Sequence, residues 1–187
     1  MRIVAGALRG RPLVAPKGQS TRPTADRARQ ALFNVLEHAP WSPGLAGLRI
    51  IDLFAGSGAL GLEALSRGAA FSLLVDNDAA AVGAIAQNVS ALGLEDRCET
   101  LRRDATRLPP RGERLDPFDM AFLDPPYARN QAEAALASLV GGGWLAPAAV
   151  AAVERGAAEA DFAPPGFEIL DSRLWGAARV WFLRRAR

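Results

Sequence analysis

The chain has 187 residues, half of them hydrophobic, and a formal net charge of +2, which is typical of one globular domain with a full core. Its single cysteine excludes an internal disulfide and a cysteine-based metal cluster. Its single histidine excludes a Ser-His-Asp triad unless His38 itself serves. Its single lysine excludes a Walker-type phosphate loop. The sequence predicts neither a membrane span nor a signal peptide.

The N-terminal region is predicted to form a basic arm. Residues 2–14 place short apolar stretches around glycines and predict a hairpin of two short strands. Thr24 is the expected N-cap of a helix, because residues 28–36 carry apolar side chains at helical spacing and Pro40 ends the pattern.

Positive charge is concentrated in this arm. Residues 1–37 contain seven basic and two acidic side chains, a balance of +5, which leaves −3 for the remainder. This asymmetry favours a surface that faces a polyanion, although a solvated face explains it equally well. The arginines that we expect to face the polyanion are Arg2, Arg9, Arg11, Arg22 and Arg27.

From residue 48 onward, short apolar strands alternate with helices. Strands are predicted at 48–54, 71–76, 97–104, 118–124 and 150–154, helices at 58–68, 78–92 and 130–140, and a closing hairpin at 167–175 and 178–185. The alternation predicts an α/β fold of the Rossmann-like type, with a mostly parallel seven-stranded sheet and helices on both faces. We divide the chain into residues 1–40, the hairpin and helix, and residues 41–187, the Rossmann-like domain.

A glycine-rich turn joins the first predicted strand of this domain to its helix. Residues 56–61, GSGALG, match G-x-G-x-x-G, and Asp76 ends the next strand twenty residues after Gly56. In this context the glycines allow a ligand to approach the backbone, and the acid can accept both ribose hydroxyls of a nucleotide. The alternative is a turn that requires glycine for steric reasons alone.

Asp52 distinguishes between nucleotide ligands. We expect its carboxylate at the mouth of the same crevice, where it would repel a pyrophosphate and attract a sulfonium and an ammonium group. S-adenosylmethionine therefore fits better than NAD. Asp104, after the third strand, either hydrogen-bonds to the adenine amino group or only caps a helix.

The motif DPPY, residues 124–127, follows the apolar fourth strand and so lies beside the glycine turn in a parallel sheet. A carboxylate and a backbone carbonyl can accept the two N–H groups of an exocyclic amine, and a tyrosine ring can stack on its base. The motif predicts methyl transfer to such an amine, with Asp124 or water accepting the proton. Without the glycine turn, Asp-Pro would indicate only the end of a strand.

The combined motifs resemble those of the class I amino-methyltransferases, whose motif is (D/N/S)-P-P-(Y/F/W). More closely, the chain resembles the bacterial RsmD family of 16S rRNA guanine-N2 methyltransferases. The stretches MRIVAGALRGRPL, TRPTADRARQALFNVL, DLFAGSGALGLEALSRGA and FLDPPY carry the resemblance from residue 1 to residue 127. The C-terminal third resembles the family only in its strand pattern and in Val153-Glu154.

The resemblance implies methyl transfer from S-adenosylmethionine to the N2 amine of a guanine in 16S rRNA, on an assembled or assembling 30S subunit. It implies a cytoplasmic, metal-free monomer whose basic arm contacts the RNA. The catalytic residues would be Asp124, Pro125, Pro126 and Tyr127. The cofactor contacts would be Asp52, Phe54, Ala55, Gly56, Gly58, Asp76, Asn77, Asp104, Ala105 and Thr24, with Thr24 and Arg27 near the methionine carboxylate or the RNA.

Several other functions remain open at the level of sequence. A DNA adenine-N6 methyltransferase shares the catalytic motif, but 187 residues leave little room for a target-recognition domain. A protein glutamine-N5 methyltransferase is disfavoured by the basic arm, and an NAD-dependent oxidoreductase by Asp52. A ribosome factor with an inactive methyltransferase fold is disfavoured by the intact glycine turn and DPPY motif.

Overall fold

The computed structural model describes residues 1–16, 23–126, 130–159 and 162–186, without the side chains of residues 23–25. Within these ranges the helices are α1 (Pro23–His38), α2 (Ala59–Ser66), α3 (Ala79–Leu92) and α4 (Gln131–Gly141). The strands are β1 (Arg49–Leu53), β2 (Phe71–Asp76), β3 (Cys98–Arg102), β4 (Phe118–Leu123), β5 (Leu145–Gly156), β6 (Phe167–Trp175) and β7 (Ala178–Arg185). None of these helices is both long and apolar enough to cross a bilayer.

The seven strands form one sheet in the order β3-β2-β1-β4-β5-β7-β6. The first five strands in this order are parallel, whereas β7 runs antiparallel to both β5 and β6. This arrangement confirms the predicted fold class. It also confirms that β4, which leads into the DPPY motif, lies directly beside β1, which leads into the glycine turn.

Helices cover both faces of the sheet, as predicted. Alternate side chains of the central strands belong to two separate hydrophobic layers, which is the consequence of the two-residue strand period. Helices α1, α2 and α3 pack on one face, and α4 packs on the other together with buried side chains of the segment 105–115.

The N-terminal hairpin differs in detail from its prediction. Residues 2–14 form a turn closed by a single antiparallel bridge between Arg2 and Pro12, rather than two strands. The cause is that N–H groups of this segment donate to α2 instead of extending a ladder. Helix α1 begins at Pro23, so Thr24 lies inside its first turn and not at the N-cap position predicted from sequence.

The buried carboxylate of Glu63, on α2, holds this N-terminal segment in place. Its oxygens accept hydrogen bonds from the backbone N–H groups of Val4, at 2.7 Å, and Ala5, at 2.9 Å. They also pair with the guanidinium groups of Arg67, at 2.8 Å, and Arg29, at 3.5 Å, which are themselves almost fully buried. The carboxylate therefore joins the N-terminal segment, α1 and α2.

Gly6 allows the close approach that these hydrogen bonds require. Its φ is +80°, and a Cβ atom built on it would lie 2.0 Å from the carbonyl oxygen of Ser66. The N–H of Ala7 donates to that same oxygen at 2.8 Å. Ile3 and Leu13 are buried in the hydrophobic layer that α1 and α2 share, so the segment packs as part of the core.

We expect Glu63→Gln to reduce the free energy of unfolding by about 3–5 kcal/mol, since it removes the fully buried carboxylate that Arg29 and Arg67 share, leaves them only Asp26 and Glu37, and turns an amide N–H₂ toward backbone donors. Glu99→Gln is the matched control, because Glu99 pairs with the exposed Arg114 at 2.7 Å and its loss should change the free energy by less than about 1 kcal/mol. Denaturant unfolding measures both values, and equal losses would contradict this role of Glu63.

Candidate active site

A cavity of about 700 Å³ lies at the carboxyl ends of the parallel strands, where an open α/β sheet binds its ligands. It brings together most of the predicted site residues: Asp52, Phe54, Ala55, Gly56, Asp76, Asn77, Asp104, Asp124, Pro125 and Pro126. Its remaining walls come from the N-terminal segment, from α1, from the starts of α2 and α4, from β5 and from the C-terminal hairpin. Among the described residues, no group of three or more histidine, cysteine or acidic side chains is arranged to hold a metal ion.

Other predicted site residues do not line this cavity. Gly58 and Ala105 pack into the hydrophobic layers beside it. The side chain of Thr24, together with Arg22 and Tyr127, falls outside the described part of the structure. The assignments of Thr24, Arg22 and Tyr127 therefore stay predictions.

The glycine turn is tied to the end of β2. The N–H of Gly56 donates to Asp76 Oδ2 at 2.8 Å, and the N–H of Asp78 donates to Asp76 Oδ1 at 2.9 Å. Phe54, at the start of the turn, has a φ of +60°, which is strained for a bulky residue. Asp76 thus fixes the turn while its half-buried side chain still lines the cavity.

Two glycines of the motif allow close packing in the hydrophobic core. A Cβ on Gly61 would lie 2.3 Å from Leu74 Cδ2, so this position lets α2 contact the sheet. A Cβ on Gly58 would lie 2.9 Å from Leu74 Cδ1 and 3.3 Å from Leu62 Cδ1. Gly58 is therefore required by the core, and its assignment as a cofactor contact stays a prediction.

Asp52 lies beneath the first turn of α2, only 1 % exposed, rather than at the mouth of the crevice. Its Oδ2 accepts a hydrogen bond from the N–H of Gly61 at 2.9 Å. Burial, and to a smaller extent the carboxylates of Asp124 and Asp76, raise the pKa of Asp52 to about 7 despite that hydrogen bond. Near neutral pH the Asp52 carboxyl is therefore partly protonated, and its charge alone does not exclude a dinucleotide. A cationic ligand would stabilise the ionised form of Asp52.

Asp104 follows β3 and caps the short turn at 105–107. Its Oδ1 accepts hydrogen bonds from the hydroxyl of Thr106, at 2.7 Å, and from the N–H of Thr106, at 2.9 Å. These bonds lower the pKa of Asp104. Both sequence interpretations of Asp104 are thus compatible with the structure, because the capping side chain also lines the cavity.

Glu154 is a cavity residue that sequence analysis noted only as part of a strand pattern. Leu123 of β4 pairs with Val153 of β5, so Asp124, which follows β4, and Glu154, which lies within β5, are neighbours across the two strands. Desolvation raises the pKa of Asp124 to about 6, although the residue keeps solvent contact through the cavity. Desolvation, followed by the Asp124 carboxylate, raises the pKa of Glu154 to about 7. The available signal in the sequence was an acid at the end of a buried apolar strand, the same pattern as Asp52, Asp76 and Asp124.

Further cavity residues had no comparable signal in the sequence. Gln131, at the start of α4, has a buried Oε1 that accepts no hydrogen bond from any residue that the structure describes. Leu32, Val180 and Trp175 give the cavity an apolar wall from α1 and the C-terminal hairpin. Such a wall can only be located once the fold brings distant segments together.

A second cavity, of about 340 Å³, lies between the N-terminal segment and α1. It is lined by three of the predicted arginines, Arg2, Arg9 and Arg27, together with Asp26. Asp26 already accepts a hydrogen bond from Arg29 at 2.8 Å, so this surface keeps a positive excess. Arg11 is placed differently, since its guanidinium group donates to the carbonyl of Ala91 at the end of α3.

The sheet order and the cavity at its carboxyl edge define a class I methyltransferase fold. The structure of the Escherichia coli protein yhhF, solved as a candidate methyltransferase, matches with a TM-score of 0.82 and 32 % identity over 100 % of this chain and 98 % of that chain. The candidate methylase HI0767 from Haemophilus influenzae matches with a TM-score of 0.80 and 29 % identity over the same shares.

The family is shown by sequence as well. The family model described as "Conserved hypothetical protein 95" matches residues 1–184. The ribosomal RNA small subunit methyltransferase D of Escherichia coli K12 is 38 % identical over 154 residues, which cover 82 % of this chain and 74 % of the relative. The protein of that name from Haemophilus influenzae is 32 % identical over 177 residues, 94 % of this chain and 89 % of the relative. This chain belongs to the RsmD family, as its motifs predicted.

We expect Gly58→Ala to lower the free energy of unfolding, because the new methyl group meets Leu74 and Leu62 in the core. Gly93→Ala is the control, since Gly93 has a similar φ of +67° and its new methyl group would meet nothing within 4 Å, so that it reports backbone strain alone. Denaturant unfolding should show a loss for Gly58→Ala that is larger by about 1–3 kcal/mol. Equal losses would contradict the packing role.

Proposed function

We propose that this protein transfers a methyl group from S-adenosylmethionine to the N2 amine of a guanine in 16S rRNA of the small ribosomal subunit. The observation that carries the proposal is the shared cavity, in which the Asp-Pro-Pro motif after β4 stands beside the glycine turn after β1. Membership of the RsmD family supports it, since the named relatives are ribosomal RNA small subunit methyltransferases.

The cavity fits S-adenosylmethionine in size and charge. Its volume of about 700 Å³ lies within the range of small-molecule sites. Five acidic side chains line it, namely Asp52, Asp76, Asp104, Asp124 and Glu154, and the basic side chain beside them, Arg29, is bonded to Asp26 and to the carbonyl of Arg2. A ligand with a sulfonium and an ammonium group would relieve the repulsion among these carboxylates.

The acids have distinct proposed roles toward the cofactor. Asp76 would accept the ribose hydroxyls with the lone pairs that its bonds to Gly56 and Asp78 leave available, and Asp104 would accept the adenine amino group. Asp52 would face the cationic end. The bound cofactor would supply a methyl group on a positively charged sulfur, which is open to attack by a nitrogen lone pair.

Asp124 and the rigid prolines after it would orient the target amine. A base nitrogen is a poor nucleophile, because its lone pair is delocalised into the ring. Acceptance of its N–H groups by Asp124 and a backbone carbonyl would favour the tetrahedral form that attacks the methyl group. The nitrogen would thereby accept the methyl group that the cofactor supplies, with the sulfur leaving as a neutral thioether, and Asp124 or water would accept the proton that the nitrogen loses.

The second cavity would contact the RNA backbone. Arg2, Arg9 and Arg27 gather there on the N-terminal segment and α1, the same elements that contribute a wall to the acidic cavity. A phosphate held by these arginines would anchor an RNA whose target base enters the acidic cavity, since phosphate contacts position a nucleic acid without reading its sequence.

Product analysis tests the proposed function directly. Small subunits that lack the modification would be incubated with the protein and with S-adenosylmethionine labelled in its methyl group, and the RNA would be digested to nucleosides. We expect labelled N2-methylguanosine. Labelled N6-methyladenosine, or label found only in added DNA or protein, would contradict the proposal for guanine in rRNA.

Asp124→Ala should reduce the rate of methyl transfer by on the order of 10²–10³, the effect of losing one oriented transition-state group. Asp124→Asn should keep part of the activity, because its amide oxygen still accepts one hydrogen bond. Single-turnover kinetics with saturating cofactor measure these rates. If both variants transferred methyl groups at the wild-type rate, Asp124 would not be the group that holds the amine.

Arg9→Gln should weaken RNA binding and reduce the slope of log affinity against log salt by about 0.7–0.9, the change expected for one lost phosphate contact. The affinity for S-adenosylmethionine should not change, since Arg9 lines the second cavity and not the first. Arg114→Gln, which removes an exposed arginine paired with Glu99, is the control for general charge loss. An unchanged slope for Arg9→Gln would indicate that Arg9 lies on a solvated surface and contacts no RNA phosphate.

A further inference from the structure

We propose that Glu154 determines base specificity by accepting the N1–H of the target guanine while Asp124 holds its N2 amine. This inference rests on the proposed function and assigns a role to a residue outside the Asp-Pro-Pro motif. Its starting point is the register of the sheet, in which Leu123 pairs with Val153. The next residue on each strand is an acid, and adjacent strands lie about 4.8 Å apart.

The two acids also share one side of the sheet. Phe122 and Ala152, two residues before them, both belong to the hydrophobic layer under α1, α2 and α3. Asp124 and Glu154 line the cavity on that side, together with Leu32 of α1 and Val180 of β7. A flat base in this part of the cavity would contact the apolar wall while its edge met two carboxylates.

Hydrogen-bond chemistry selects the base that fits this pair. The Watson–Crick edge of guanine presents two neighbouring donors, the N1–H and the N2 amine, whereas adenine presents its N6 amine next to N1, a bare acceptor. A second carboxylate beside Asp124 is therefore complementary to guanine. It would face the N1 lone pair of adenine with a negative charge, which is unfavourable in a desolvated site.

Gln131 also lines the cavity near Pro125 and Glu154. Its buried Oε1, at the start of α4 and on the cavity wall, has no hydrogen-bond partner among the described residues. At this end of the cavity, Asp124 and Glu154 present two carboxylate acceptor groups. A guanine edge carries three N–H bonds in the same region, so it would satisfy groups that the protein alone leaves unpaired.

The pKa values of Asp124 and Glu154 are raised, so the ligand must stabilise the ionised forms that accept its hydrogen bonds. Partial removal from water raises the pKa of both carboxylates, and the Asp124 carboxylate raises the pKa of Glu154 further. Arg155, the next residue, directs its guanidinium group to Glu159 at 2.9 Å and Glu133 at 3.5 Å. N–H donors from a ligand would stabilise the two ionised carboxylates.

The test compares guanosine with 2-aminopurine riboside at one position of the RNA. Product analysis with the wild-type protein first locates the guanosine that acquires the N2-methyl group. Subunit RNA carrying 2-aminopurine at that position keeps the exocyclic amine, replaces the N1–H donor by an acceptor and lacks O6, and Glu154→Gln separates the effect at N1 from the loss of O6. We expect wild-type protein to prefer guanosine roughly 10- to 100-fold in kcat/KM, and equal rates would overturn the proposal without using any variant.

Glu154→Gln should reduce this preference to less than about fivefold, because the amide can either accept the N1–H of guanine or donate to N1 of 2-aminopurine. The affinity for S-adenosylmethionine, measured by calorimetry, should change less than about threefold. Glu168→Gln is the matched control, since it makes the same chemical change on β6 at a side chain that is 65 % exposed, and it should keep the full preference.

Two other results would overturn the proposal in different ways. If Glu154→Gln kept the wild-type preference for guanosine and instead weakened cofactor binding, Glu154 would be a cofactor contact. If the wild-type protein formed no N2-methylguanosine at all, the proposed function would fail, and the assignment of Glu154 would fail with it.

Discussion

The buried carboxylate of Glu63 joins the N-terminal segment, α1 and α2, and these elements form one wall of the acidic cavity and the whole of the arginine-lined cavity. A charge in the core is tolerated only when its partners surround it. Here Arg29, Arg67 and two backbone N–H groups do so. Folding of the basic segment is thereby coupled to folding of the Rossmann-like domain, and the proposed RNA surface is held at a fixed position relative to the proposed site of methyl transfer.

A second constraint acts at the carboxyl edge of the sheet. Parallel strands that all end at this edge bring their terminal acids into one cavity, and the carboxylates oppose one another's ionisation. The arrangement stores unfavourable electrostatic energy, which a cationic ligand and a donor-rich base can relieve. The same acids that destabilise the free protein therefore favour binding of the two proposed substrates. Such a trade-off between stability and function is common at active sites.

Strong periodicity made the fold predictable from the sequence. The apolar runs of β1, β2 and β4 and the glycine turn predicted the parallel sheet, its central strand pair and the location of its ligand cavity. Other features depend on contacts between distant segments. The N–H groups of residues 4 and 5 bind Glu63 rather than a hairpin partner, Gly58 packs against Leu74, and Asp52 lies beneath α2 rather than at the cavity mouth. Glu154 followed the same strand-end pattern as the predicted acids but became a site residue only when its pairing beside Asp124 was known.

A cationic cofactor is expected to bind among the partly protonated carboxylates of the acidic cavity. Calorimetric titration with S-adenosylmethionine at pH 6 and pH 8, in buffers with different ionisation enthalpies, tests it most directly. Asp52 and Glu154 have pKa values raised to about 7 and Asp124 to about 6, so a bound cation should displace their protons. The account predicts proton release at pH 6 and tighter binding at pH 8. An affinity independent of pH, with no proton released to the buffer, would contradict it.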